Sequence, residues 1–393
     1  MWDALPREAH QTAFLKQPDI GGSLRHGRIE GININAEWWN RARRQPQPLK
    51  IGLLVPFCGA DAIWGPSCQC SAVLAASELN GAGGILGRQI ELLAADAGGD
   101  PAGVVARARE LVDVHGAQVL IGVHLSTVRL ALAEEFAGEI PYVYAPLFEG
   151  GAPREDVFTI GETPENQFAE ALLHMIRREG AKRWYLIGND YVWPRASHDW
   201  VRRFLGKNGA EVVGESYVPI GETDIDTMLD RISEAGPDIV FQSLVGAECV
   251  PFNREFSARG MSANMLRLSG AIEENTLLAI GPDATENLYC AAGYFSEING
   301  PDNSRFMAKY RDAFGVSAPM QGVLSEACYE GLHFFAALAG RANSLNLPDL
   351  RASFEGLHYS GARGTCVVRD GVCVGPVYLA QADGARFRIL QSF

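Results

Sequence analysis

Residues Gly188-Asn189-Asp190-Tyr191-Val192-Trp193-Pro194-Arg195 bring two aromatic rings, a carboxylate and a guanidinium together within one short stretch. Such a set suits the stacking and hydrogen bonding of a small polar ligand in a cleft. The stretch follows an apolar, strand-like run, Trp184 to Ile187, and opens a helical pattern. In an open parallel α/β sheet that junction faces ligand. The same residues also make an ordinary strand-to-helix turn, with Asp190 capping and Pro194 starting the helix.

Reactive side chains are present, but no motif arranges them for catalysis. There is no Gly-x-Ser-x-Gly elbow, no His-Glu-x-x-His and no Cys-His signature. Gly81-Ala82-Gly83-Gly84 follows a helix rather than a strand, so it lacks the setting of a dinucleotide-binding loop. Cys68 and Cys70 lie two apart on an expected helix and diverge, which makes them poor joint metal ligands. The expectation is a binding protein that is not an enzyme and carries neither cofactor nor metal.

Composition narrows the partners. The 393 residues exceed one compact core and suit two similar lobes. An apolar fraction of 47% with 21% charged residues is that of a globular chain, and a formal net charge of −13 opposes binding to a phosphate backbone. No run of about 18 apolar residues occurs. Asp3, Arg7, Glu8 and His10 stand where a secretion signal would carry its apolar segment. Of eight cysteines, most sit in apolar runs where a free thiol packs as a small hydrophobe. Cys366 and Cys373 flank an expected hairpin at Arg369-Asp370-Gly371, so a disulfide there is geometrically possible if the protein is exported.

Residues 1–48, polar and ending near Arg41-Ala42-Arg43-Arg44, read as an extension or linker. A regular alternation follows: strand Lys50 to Phe57, helix Ser67 to Asn80, strand Ile90 to Ala95, helix Pro101 to His115, strand Gln118 to Val123, helix Ser126 to Phe136, strand Pro141 to Ala145. After a Gly- and Pro-rich gap a second series begins. It comprises helix Pro164 to Arg178, strand Trp184 to Ile187, helix Trp193 to Lys207, strand Glu211 to Pro219, helix Asp224 to Glu234, strand Asp238 to Leu244 and helix Glu248 to Arg259. Strands alternating with helices imply two Rossmann-like parallel sheets. Helices Pro301 to Phe314 and Glu326 to Ala342 are expected to return to the first lobe, and strands near Val367 and Val377 to the second. The expected lobes are 49–161 plus 295–358 and 162–294 plus 359–393, joined by a three-stranded hinge able to close.

Gly83-Gly84-Ile85-Leu86-Gly87-Arg88, Asp96-Ala97-Gly98-Gly99-Asp100-Pro101, Gly188-Asn189-Asp190-Tyr191 and Ala291-Ala292-Gly293-Tyr294-Phe295-Ser296, in this order and spacing, resemble the type I periplasmic solute-binding proteins of Leu/Ile/Val-binding type. The resemblance is greatest to the branch holding the amide-binding regulator of amidase operons and the urea and short-chain amide receptors. It spans about residue 49 to the C-terminus. It implies a Venus-flytrap α/β fold without catalytic activity and ligand contacts at His124, Ser126 and Thr127 after the third strand. Tyr144 is implied after the fourth, with Tyr191, Trp193, Gly246 and Glu248 from the second lobe. His124 stands where the regulator has a tyrosine and would either donate a hydrogen bond or serve as a satisfied structural histidine; Ser126 and Thr127 also suit an N-cap. Glu248 equally suits a first-turn helix charge. Pro146 replaces a hydroxyl residue of the relatives and lacks an N–H, which disfavours an α-carboxylate ligand and favours a small amide or urea.

The absent leader and the thiol usage lead to the expectation of a cytoplasmic sensor whose closure alters its grip on a partner regulator, with a homo-oligomer as a further option. The alternative is the substrate-binding component of an ABC-type importer, facing a permease from the periplasm.

Overall fold

The computed structural model describes residues 46–151, 154, 156–221 and 224–393. The extension expected over 1–48 lies almost wholly outside them. The first unit runs β1 (Leu49–Val55), α1 (Gly65–Gly81), β2 (Ile90–Asp96), α2 (Pro101–Asp113), β3 (Val119–Gly122), α3 (Ser126–Glu135), β4 (Tyr142–Tyr144) and β5 (Val157–Thr159). Its strands form one parallel sheet in the order β2-β1-β3-β4-β5. β1 reads LKIGLLV and is buried along almost its whole length, as a strand covered by helices on both faces must be. α2 starts where the Asp100 carboxylate accepts from the Gly103 N–H at 2.9 Å and Pro101 occupies the first turn.

The second unit follows with α4 (Pro164–Arg177), β6 (Arg183–Asn189), α5 (Val192–Lys207), β7 (Glu211–Val218), α6 (Ile225–Ala235) and β8 (Ile239–Ser243). It is completed by α7 (Cys249–Ala258), β9 (Leu266–Ser269), α8 (Glu274–Ile280) and β10 (Leu288–Ala292). After it come α9 (Pro301–Phe314), α10 (Val323–Ala342), α11 (Leu347–Phe354), β11 (His358–Gly361), β12 (Gly364–Arg369), β13 (Val372–Val374), β14 (Tyr378–Asp383) and β15 (Arg386–Ser392). The second sheet runs β15-β14-β10-β9-β8-β6-β7, with β14 antiparallel to both of its neighbours, β10 and β15. Helices α9 and α10 pack on α1, and α10 also lies against β3 and β4. The chain therefore passes between the two units at 160–163, 293–300 and 375–377.

One expected strand goes elsewhere. The segment around Val367 does not return to the second sheet: β12 pairs with β11 and β13 in a separate three-stranded antiparallel sheet, and only β14, after Val377, joins β10. The cause is local. Asp370 and Gly371 both adopt positive φ, +52° and +72°, and so fold β12 tightly back on β13. The buried face of this small sheet rests on α10.

A buried ionic cluster ties these parts together beside the crossings. The Arg363 guanidinium, next to β12, donates to Glu330 of α10 through Nε at 2.7 Å and Nη2 at 2.7 Å, and pairs with Glu162 in the first crossing. Tyr359 adds a 2.7 Å hydrogen bond to Glu330, and the Ala362 N–H donates to Glu326 at 2.9 Å. Removing ions from water is costly unless they are fully paired. Arg363 achieves that with a fork of donors.

Candidate functional site

The carboxyl ends of β1, β3 and β4 face those of β6, β8 and β9 across a cleft, the place where open α/β sheets bind ligand. The cleft is closed. The Ala247 N–H, beyond β8, donates to the Ala60 carbonyl, beyond β1, at 2.7 Å. Behind this contact lies a narrow cavity of about 20 Å³, room for about one water and well below the usual volume of a ligand site, so the two walls have closed almost onto each other. Its walls are Trp64, His124, Leu125, Ser126, Tyr144, Pro146, Leu147 and Leu324 on one side, and Tyr191, Trp193, Val245 and Ala271 on the other. No charged side chain is among them.

On the first wall, the N-cap of α3 is Leu125, so Ser126 occupies the first helical position rather than capping the helix. Thr127 is half-buried and lies outside the cavity wall. The first N–H groups of such a helix have no partner within it and attract an acceptor. His124 lines the wall with its ring held from within the protein. Its Nδ1 faces the Leu125 carbonyl at 3.2 Å and its Nε2 faces the Tyr142 hydroxyl at 3.0 Å, so both ring nitrogens are engaged. Burial pulls the imidazole down to about 4, leaving it neutral. Tyr144 donates to the His124 carbonyl at 2.8 Å, which fixes the ring above Ser126.

On the second wall, the Gly188–Arg195 stretch divides. Tyr191 and Trp193 face the cavity, their ring centroids 6.4 Å apart. Asp190 and Arg195 instead pair with each other at 2.6 Å on the exposed side. Asp190 does not cap α5; Tyr191 holds that position. Gly246 and Glu248 are also absent from the cavity wall. Gly246 (φ +54°) sits where a Cβ would overlap the Ala60 carbonyl, so its role is the approach of the two loops. Glu248 bonds Asn189 and the Gly221 N–H, bracing the loop from behind.

Two buried donors of the cavity wall, the indole N–H groups of Trp64 and Trp193, have no partner in the protein, and Oδ2 of Asp61, beside Trp64 but outside the wall, has none either. An unpaired buried donor or acceptor costs roughly 1–3 kcal/mol, so such atoms mark places where something else binds. Asp61 precedes the short 3-10 turn Ala62–Trp64, and side chains three apart eclipse in that geometry, which stacks Asp61 beside Trp64. Asp61 is 2% exposed. Burial, with a further push from Asp96, raises its carboxyl to about 7. Neither Asp61 nor Trp64 stood out in the sequence, although both follow a strand end just as Tyr191 and Trp193 do.

A Ser-His-Glu arrangement also emerges that no motif announced. His198 Nε2 lies 2.6 Å from the Ser243 hydroxyl, and His198 Nδ1 lies 3.1 Å from Glu215. The geometry resembles a nucleophilic triad, yet Ser243 and His198 are fully buried, and a Cβ on Gly188 would overlap the hydroxyl. No substrate can reach it. The Ser243 hydroxyl also lies 3.4 Å from the Ile187 carbonyl, so the group ties β6, β8 and α5 beneath the Tyr191 loop.

Residues 48–386 match the periplasmic binding protein family. The chain belongs to that family. This periplasmic binding protein is 26% identical over 266 residues to an amino acid binding protein of Pseudomonas aeruginosa, covering 66% of this chain and 71% of the relative. It is 24% identical over 295 residues to Leu/Ile/Val-binding protein homolog 1 of Brucella suis, covering 74% and 78%. Its fold matches a solute binding protein of an ABC transporter from Rhodopseudomonas palustris, crystallised with p-hydroxybenzoic acid, at a TM-score of 0.79 and 19% identity over 88% of this chain and 97% of that one. A leucine binding protein of Thermotoga maritima matches at 0.76 and 18% identity, covering 88% and 98%. The two-lobe α/β fold expected from the sequence is thereby established, and these relatives are binding proteins rather than enzymes.

The expected cytoplasmic location is overturned: the family is periplasmic, and its structural neighbours include solute-binding parts of ABC transporters. The lack of an apolar segment in residues 1–48 does not fix the compartment, and thiols that pack in a core as small hydrophobes fit an oxidising compartment as well as a reducing one. The comparisons likewise favour a solute-binding component over a sensor acting on a partner regulator.

Proposed function

We propose that this periplasmic binding protein is the substrate-binding component of an ABC-type importer, and that it closes on a small neutral amide or urea-like solute for delivery to a permease. One observation carries the ligand class: an aromatic cavity wall without a charged residue presents two unpartnered indole donors, and the unpartnered carboxyl oxygen of Asp61 lies beside one of them, outside the wall. A carbonyl oxygen answers the donors of Trp64 and Trp193, and an amide N–H answers Asp61. A zwitterion or carboxylate meets no cation in this wall, and charge buried without a partner is strongly disfavoured. Pro146 lines the same wall and offers no N–H. The moving units in this reading are 49–161 with 295–374, and 162–294 with 375–393, since β11–β13 rests on α10.

Calorimetric titration with acetamide, butyramide, urea, leucine, glutamate and 4-hydroxybenzoate tests the reading. Binding of an amide or urea with weak or absent response to the other three supports it. Tight leucine or benzoate binding without an amide response refutes it.

A further inference from the structure

The hairpin β12–β13 places two thiols beside the crossings between the lobes. Val368 pairs with Cys373 across the hairpin, and side chains alternate along a strand, so Cys366 shares a face with both. Tyr359 pairs with Cys366 from the other side. Continuing the register, the position opposite Cys366 is Gly375. A Cβ there would lie 2.6 Å from the Cys366 sulfur, which shows that the thiol leans over this gap toward β13. Cys373 is the largest influence on the Cys366 proton, as expected of neighbouring thiols. Cys373 Sγ lies 2.7 Å from the Tyr359 hydroxyl, and Cys366 Sγ lies 3.8 Å from Glu330.

We infer that Cys366 and Cys373 are a convertible dithiol, closed to a disulfide by exchange with an oxidised glutathione-type or protein disulfide, and that this bond stiffens the hinge. The step balances. The thiolate of one cysteine attacks the donor disulfide and releases a thiol; the second thiolate then displaces the other donor sulfur, so two cysteines are oxidised and one disulfide is reduced to two thiols. Diagonal pairs start farther apart than directly opposed ones, so bond formation draws β12 and β13 together. The shift reaches the hinge through Glu330, which accepts from Tyr359 and lies against the Cys366 sulfur, and which also holds Arg363 and through it Glu162. The neighbouring Cys373, burial and the nearby Glu330 push the Cys366 thiol up, so exchange is slow at neutral pH and faster when the hairpin opens.

The test uses the full chain, reduced, desalted and incubated with oxidised glutathione at mildly alkaline pH, without any ligand. Thiol titration is expected to fall from eight to six, with peptide mass spectrometry linking Cys366 to Cys373. Cys68→Ser leaves that link intact and Cys373→Ser abolishes it. Amide hydrogen exchange over 160–163 and 293–300 slows severalfold in the oxidised form and is unchanged in treated Cys373→Ser. Eight remaining thiols, glutathione adducts in place of the link, a link between other cysteines, or an intact link with unchanged exchange would each overturn the inference. Since no solute is involved, these outcomes are independent of the proposed ligand.

Discussion

Ala247 and Ala60 are joined by a backbone hydrogen bond of 2.7 Å, and Gly246 is the residue that lets them meet. The bond spans the mouth of the cleft, so any side chain at 246 opposes closure. Gly246→Ala places a Cβ in a left-handed conformation, costing about 1–2 kcal/mol before any clash with Ala60 is counted. The expected result is a loss of solute affinity of roughly 5- to 30-fold, with small-angle scattering showing the lobes apart at solute concentrations that close the parent. Unchanged affinity would mean that the loops do not meet in the bound form.

Trp64→Phe and Trp193→Phe keep an aromatic ring and delete one donor each. Loss of about 1 kcal/mol of binding is expected for each, with little change in melting temperature, because neither N–H has a partner in the protein to lose. Tyr191→Ala and Ser126→Ala, from opposite walls, are expected to weaken binding by about 1–3 kcal/mol. Equal affinity in all four variants by calorimetry places the solute elsewhere.

Asp61 links binding to pH with opposite signs for stability and affinity. Its carboxyl titrates near 7 in the folded protein against an ordinary 3.8, so between these values the folded state keeps a proton that the unfolded chain releases. The Asp61 contribution therefore lowers stability as pH rises from about 4 to about 7, and has no further effect above that. A solute N–H prefers the ionised carboxylate, so affinity rises over the upper part of the same range. Asp61→Asn should flatten both profiles in melts and titrations. A variant that keeps the parent slope in both would remove Asp61 from the site.

Arg363→Gln leaves the buried carboxylates of Glu162 and Glu330 without their cation. Breaking a buried pair from one side costs about 3–5 kcal/mol, so chemical denaturation should show a loss of that size. The double variant Arg363→Met with Glu330→Met is expected to recover part of it. A loss below about 1 kcal/mol, the scale of an exposed pair, would contradict the burial of this cluster.

Much of the architecture was legible because helices and strands differ in period. The helix Pro301–Phe314 has the bounds that its pattern predicts, and the alternation up to Ala258 is that of the two sheets. The elements that escaped did so for physical reasons. β9 reads Leu-Arg-Leu-Ser, and its Arg267 is fully buried because Asn253 and the Ala284 and Glu286 carbonyls hold the guanidinium. A charged residue at such a position does not read as a central strand. β5 has only three residues, within a stretch dominated by Gly and Pro. At the site, the sequence pointed to the strand-end loops, but not to which side chain of a loop turns inward. Tyr191 and Trp193 face the cavity while Asp190 and Arg195, which flank them in sequence, close on each other in solvent.

The position of α10 bears on how the protein is made. This helix covers α1, β3 and β4, yet it is synthesised only after the whole second sheet as far as β10. At about 5–20 residues per second, translation from β5 to the end of α10 takes on the order of 10–40 s. Throughout that interval the first sheet stands with an apolar flank exposed. A nascent chain that must cross a membrane before it folds gains from such a delay, since the half made first cannot lock until nearly all of the polypeptide has left the ribosome.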